Sequence, residues 1–219
     1  MKNLSLLLFG LLLLAGCDLE TSGTGGEQQN QGIVADNSQN KEPVKPNWDC
    51  IPGQQVGLIK AGATEVDIIN SYGADQVVRR DIGLGEGESA PGTIVFPDTK
   101  NQLIIEWQDS MVYQKIARIR IEGEESDWAT PQGVRIGTTL ERLEAINGKP
   151  FKFFGFEWDY SGLCKDWQGG NIDPKLSVFL NPGNPEAVYP DLLGDAEFLS
   201  THPKASTAQL QVSSFVIEF

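Results

Sequence analysis

Histidine is almost missing from this chain: His202 is the only one among 219 residues. That excludes His-rich metal sites and any catalytic triad that needs a second imidazole. Basic residues are scarce as well, with 17 Lys and Arg against 30 Asp and Glu, for a net charge of −13. Nucleic-acid binders neutralise phosphates with a basic patch, and no such patch occurs here. No apolar run reaches the ~20 residues of a membrane-spanning helix. The longest, Leu4 to Leu14, is about half that length. Cysteine is limited to three residues, Cys17, Cys50 and Cys164.

The short apolar run has a meaning of its own. It follows Met1-Lys2-Asn3, a short basic start, and ends in Leu13-Leu14-Ala15-Gly16-Cys17. A basic start, a short hydrophobic stretch and a small-residue cleavage site are the parts of an export signal. The Leu-Ala-Gly-Cys tetrapeptide resembles the lipobox of bacterial lipoproteins. The resemblance implies that residues 1–16 are removed and that Cys17 becomes the lipidated N-terminus, with palmitate-type chains. Two or three acyl chains hold a membrane stably where one binds only marginally. The expected location is therefore a bacterial cell envelope, with the membrane as first partner through Cys17. Asp18 resembles the inner-membrane retention signal of enterobacterial lipoproteins, whereas other phyla sort by different rules, so both membranes stay open.

Residues 17–49 are rich in Gly, Ser, Thr, Gln and Asn, with few apolar side chains. Such a segment buries too little surface to offset the entropy of ordering, and a tether is expected. A flexible chain of this length reaches roughly 30 Å. Cleavage after residue 16 leaves −14, divided as −4 on the tether and −10 on residues 50–219. Cys50 and Cys164 remain. An oxidising compartment permits disulfides, so a Cys50–Cys164 bridge is expected, contributing ~4–5 kcal/mol in the chain-entropy view.

The folding part carries a weak internal similarity. Gly62-Ala63-Thr64 through Gly73 can be laid on Gly137-Thr138-Thr139 through Gly148, an offset of 75 residues. Thr64 and Thr139 stand where an N-cap hydroxyl is wanted. Val66, Ile69 and Tyr72 in one copy, and Leu140, Leu143 and Ile146 in the other, recur at helical spacing. Gly73 and Gly148 suit a helix end. Apolar runs at 93–96, 102–107, 115–121, 151–160, 175–180 and 212–219 read as strands, and in Lys115 to Ile121 the pattern turns Ala117, Ile119 and Ile121 to one face and Arg118 and Arg120 to the other. The expected fold class is α+β: two tandem copies of a short helical unit followed by antiparallel strands, over 50–130 and 131–219, with helices on one face of the sheet. This pattern resembles the tandem-repeat fold of β-lactamase inhibitor protein and the small envelope lipoproteins of the SmpA type. It implies no catalytic residue.

Candidate chemistry is thin. Gly83-Leu84-Gly85-Glu86-Gly87 lacks the spacing of a phosphate loop and sits among acids, which reads as a hairpin or connection. Acidic clusters at Asp81/Glu86/Glu88 and at Glu122/Glu124/Glu125/Asp127 lack the spacing of a calcium loop, so no metal is expected. Glu157 and Asp159 lie two apart on an expected strand, without an opposed partner. No residue pattern calls for a cofactor. The unusual feature is Phe151 to Tyr160, whose aromatics exceed what one core face requires. Phe154, Phe156, Trp158 and Tyr160, with Trp167 downstream, form the candidate binding surface. These residues point to a non-catalytic protein-interaction or envelope-structure module that uses a sheet face and an envelope protein partner. A carbohydrate-binding lipoprotein with stacking aromatics is the alternative, followed by an inhibitor of a secreted enzyme and, last, a hydrolase.

Overall fold

The computed structural model describes residues 46–184 and 190–219. The expected signal segment 1–16, the expected lipidation site Cys17 and nearly all of the expected tether 17–49 lie outside the described residues.

Strand β1 (Cys50–Ile51), β2 (Gln55–Val56) and β3 (Ile59–Lys60) form a small antiparallel sheet. Helix α1 (Glu65–Tyr72) follows, opened by a reciprocal cap in which the Asp67 amide donates to Thr64 Oγ1 and the Thr64 amide donates to Asp67 Oδ2. Then come β4 (Val77–Gly85), β5 (Glu88–Val95), β6 (Leu103–Trp107) and β7 (Ile116–Ile121), an antiparallel meander. Helix α2 (Leu140–Asn147) is capped by Thr139 and closed by Gly148 in the left-handed region. After it run β8 (Lys152–Phe154), β9 (Leu163–Cys164), β10 (Leu176–Asn181), β11 (Glu197–Leu199), the short helix α3 (Pro203–Thr207) and β12 (Gln211–Glu218). The main sheet has seven strands in the order β4-β5-β6-β7-β12-β10-β9, while β8 and β11 pair separately.

One face of the main sheet carries the core. Leu103 and Ile105 on β6, Ile119 and Ile121 on β7, Phe215 and Ile217 on β12, and Leu176 and Val178 on β10 are all buried there. Three buried indoles satisfy their N–H groups: Trp128 on Asn101 O (2.9 Å), Trp167 on Leu176 O (2.7 Å) and Trp107 on Thr93 Oγ1 (2.9 Å). An unmet buried donor of this kind costs about 1–3 kcal/mol, so the hydrogen bonds select how each ring sits.

The expected α+β pair of helical units is corrected by this architecture. Among the described residues strand exceeds helix 37% to 16%, and a single seven-stranded antiparallel sheet dominates. Both capped helices form where the Gly-x-Thr motif stands, but each is only eight residues long and neither defines a layer. The helical face of α1 also differs from the expected one. Glu65 and Ile68 turn inward and Val66 is 63% exposed, because the Glu65 carboxylate accepts from the buried Thr93 hydroxyl and from Arg79. The expected strand 151–160 ends at Phe154. A Cβ on Gly155 would lie 2.5 Å from Gly194 O and 2.7 Å from Leu192 O, so the chain there is pressed against another backbone and turns away.

The expected disulfide is absent: Cys50 and Cys164 are free, buried thiols. Cys50 belongs to the small sheet, its amide bonded to Ala129 O, whereas Cys164 sits opposite Val178 at the margin of the main sheet. Each is held by its own strand partners. Burial first, and then a neighbouring acid (Asp49 for Cys50, Asp166 for Cys164), pushes both thiols far above the ordinary range. In a Cys17→Ser chain, a thiol reagent should therefore find no reactive group in the native protein and two after denaturation. Immediate labelling of either thiol, or none after denaturation without reductant, would contradict this placement.

Candidate functional site

The face of the sheet opposite the core is not covered by any of the three helices' buried residues, and its side chains can be placed by register. Glu106, Arg118 and Glu218 stand side by side on β6, β7 and β12. The next row is Ile104, Arg120, Val216 and Ser177, from β6 to β10. Ser214 on β12 is opposite Phe179 on β10, which in turn is opposite Leu163 on β9.

Two chain segments wall this floor. On one side the β4–β5 ribbon curls over it. β5 pairs with β6 only through Thr93, Ile94 and Val95, so the ribbon beyond Gly92 leaves the sheet. A Cβ at Gly92 would meet the Ile82 side chain at 2.6 Å and Ile105 O at 2.9 Å, which makes glycine a requirement of the bend. Arg120 Nη1 then donates to Gly83 O at 3.2 Å and ties the ribbon to the floor. The glycine-rich run 83–87 thus forms the ribbon tip, with Gly85, Glu86 and Gly87 all at positive φ. On the other side stands the turn that carries Asp159, Tyr160 and Ser161. Between the two walls lies a groove of about 660 Å³, within the range of small-ligand sites, roughly 300–1,000 Å³.

The two arginines of the groove are paired with carboxylates, whereas Glu86, Glu88, Asp159, Lys165 and Glu218 line it without an ion pair among the described residues. Arg118 Nε lies 2.7 Å from Glu106 Oε2, and Arg120 Nε lies 2.6 Å from Glu122 Oε1. The second contact is an ion pair rather than a directed hydrogen bond, and among the described residues Arg120 Nε is the buried side-chain polar atom left without one.

The five candidate aromatics divide. Phe156 and Trp167 are buried, the former against Phe153 and the latter edge-on to Phe151, so both serve the core. Phe154, Trp158 and Tyr160 form an outer trio with ring centroids 5.2 to 6.1 Å apart. Trp158 Nε1 donates to Gly155 O, and Tyr160, 46% exposed, reaches the groove. Sequence periodicity could not separate these sets, because a turn with Glu157 at positive φ replaces the expected strand. The same turn removes Glu157 and Asp159 from a common strand face. Sequence reasoning turned Arg118 and Arg120 to the face away from Ile119 and Ile121, but it missed Ser177 and Ser214, which have no signal apart from strand register.

No protein family, curated protein or solved structure compared with this chain matches it. The site must be read from its own geometry.

Two other polar clusters are structural. Near α2 and α3 a cavity of about 760 Å³ is lined by Glu144, Ser200 and His202 among others. Ser200 Oγ donates to Glu144 Oε2 at 2.5 Å and accepts from the Phe151 amide at 3.1 Å, while His202 Nδ1 accepts from the Lys204 amide and caps α3. On the core side, Glu65 accepts from Arg79 Nε and Nη2 and from Thr93 Oγ1, which itself accepts from Trp107. The Arg79 guanidinium lies 3.9 Å above the Tyr113 ring. Burial works to raise the Glu65 carboxyl, but the bonds from Arg79 and Thr93 outweigh it and hold the group below its usual value.

A carboxyl lowered on folding contributes stability above its unfolded value, about 4.3, and loses that contribution as pH falls through the native value. Glu65→Gln should therefore cost about 1–2 kcal/mol at neutral pH and flatten the acid limb of the stability curve. Denaturant titrations between neutral and acid pH check this. An unchanged acid limb would show that the network is not ionised as described.

Proposed function

We propose that this chain is a lipid-anchored, non-catalytic module of a bacterial cell envelope that holds another envelope component in the groove on its open sheet face. The observation that carries the reading is the groove itself, walled by a ribbon at 82–90 and a turn at 157–161 on a face that the core leaves free. The lining groups suit holding rather than cleaving: its arginines pair with carboxylates, and Ser161 Oγ accepts from the Glu157 amide. Anchoring is supported by the basic start, the short apolar run and the Leu-Ala-Gly-Cys tetrapeptide ending at Cys17. A tethered module meets membrane-proximal partners at high effective concentration, so a modest interface suffices.

Two variants test this reading. Cys17→Ser should release the protein from the membrane fraction and leave the signal segment uncleaved. Ser214→Trp, which fills the groove floor, should abolish crosslinking to the native envelope partner while the thermal midpoint is kept. Membrane attachment and signal processing both unchanged in the first variant would refute the anchor. Crosslinking unchanged in a folded second variant would refute the groove.

A further inference from the structure

The chemistry of the groove narrows what it holds, an inference that rests on the groove being the binding surface. Anions are disfavoured. Both arginines are engaged, Arg118 by Glu106 and Arg120 by Glu122, and Arg118 also stands opposite Glu218. An acidic ligand would have to displace a carboxylate from either arginine and pass the unpaired Glu86 and Glu88 at the ribbon tip. What the floor offers instead is neutral hydrogen bonding. Ser177, Asn181 and Ser214 line the groove, and their side chains make no hydrogen bond within the described protein. Beside them Tyr160 and Phe179 supply apolar ring surface, with Tyr160 held by an edge contact to Trp158 and a tilted one to Phe154.

Free hydroxyl and amide groups next to an immobilised, half-exposed aromatic match a ligand with hydroxyls at its edges and C–H groups on its faces. We infer that the groove binds a neutral oligosaccharide, a pyranose face resting on Tyr160 and its hydroxyls meeting Ser177, Asn181 and Ser214. The lining charges disfavour an anion, because Glu86, Glu88, Glu122, Asp159 and Glu218 outnumber Arg118, Arg120 and Lys165, and a ring without net charge loses no ionic hydration on entry. A cationic peptide drawn by Glu86, Glu88 and Asp159 is the competing ligand. The two differ in salt response, because attraction between exposed charges is screened and stacking is not.

The test uses the full lipidated chain in detergent, with chitohexaose and cellohexaose as neutral probes and hexalysine as the cationic one, read by calorimetry and by tryptophan fluorescence. At least one hexaose should bind, with affinity unchanged between about 50 and about 500 mM NaCl. Tyr160→Ala should weaken it about tenfold or more, Tyr160→Phe should retain it, and Ser214→Trp should abolish it. The Phe variant keeps the test meaningful if the Ala variant unfolds. Binding of hexalysine alone, lost at high salt, would overturn the inference, as would hexaose binding unaffected by Ser214→Trp. If neither hexaose binds while Ser214→Trp still abolishes crosslinking in the envelope, the saccharide is refuted and the groove survives. If crosslinking also persists, both fall.

Discussion

Pairing of β7 with β12 is the constraint on which the rest of this molecule depends. Phe215 stands opposite Ile121 and Ile217 opposite Ile119, and these four side chains enter the core together. The pleat sends Val216, Glu218, Arg118 and Arg120 to the other face by the same registration. A slip of one residue would turn one strand over against the other, either bringing Arg118 and Arg120 into the core or sending Phe215 and Ile217 out of it. Residues 50–130 contribute β4 to β7 and residues 131–219 contribute β9, β10 and β12, so this single ladder joins strands about a hundred residues apart. Contacts of such sequence separation form slowly, since the loop entropy is spent before the pairing returns it.

How much of this was legible follows from which signals are local. The caps on α1 and α2 were readable because a hydroxyl three residues before a free amide is a property of a few residues. β7 was readable because strict alternation in Ile116–Ile121 has one interpretation. The fold class was not, because short helices and short strands carry local signals of similar strength, whereas long-range pairing decides which of them forms the layer. β4 was not anticipated either: Val77–Gly85 contains two arginines, an aspartate and glycines, and its pairing to β5 rather than its composition makes it a strand. The disulfide failed for a different reason. Cysteine count and compartment say that a bridge is allowed, and only the strand partners of Cys50 and Cys164 say where the thiols lie.

Within the site, the aromatic surplus at 151–160 was visible in composition, but its division into core and surface depends on a backbone event. The close approach of Gly155 to Gly194 O and Leu192 O stops β8 after Phe154. The following turn then carries Trp158 and Tyr160 outward while Phe156 stays in the core. Period-two logic assumes a strand and assigns all four aromatics from Phe154 to Tyr160 to one face. Once the strand ends, the assumption has no force, and each ring is placed by its own contacts.

The electrostatics of the molecule and of its groove are different matters. Residues 50–219 carry −10, yet the floor of the groove is close to neutral because its arginines and carboxylates alternate across strands. Cross-strand opposite charges stabilise by a few tenths to about 1 kcal/mol each, so the alternation contributes little to folding. Its larger consequence is for recognition. A sheet face with unpaired arginines on an acidic protein would draw any passing anion, and one with unpaired acids would draw cations. Pairing Glu106 with Arg118 and Arg120 with Glu122 quiets the floor, and the unpaired acids Glu86, Glu88 and Asp159 stand on the walls. Shape, hydroxyl pattern and the Tyr160 ring are left to discriminate among ligands: Gly92 lets the ribbon bend over the floor, strand register places Ser177 and Ser214, and the turn after Gly155 carries Tyr160. Selectivity in this groove is therefore a property of backbone geometry before it is a property of charge.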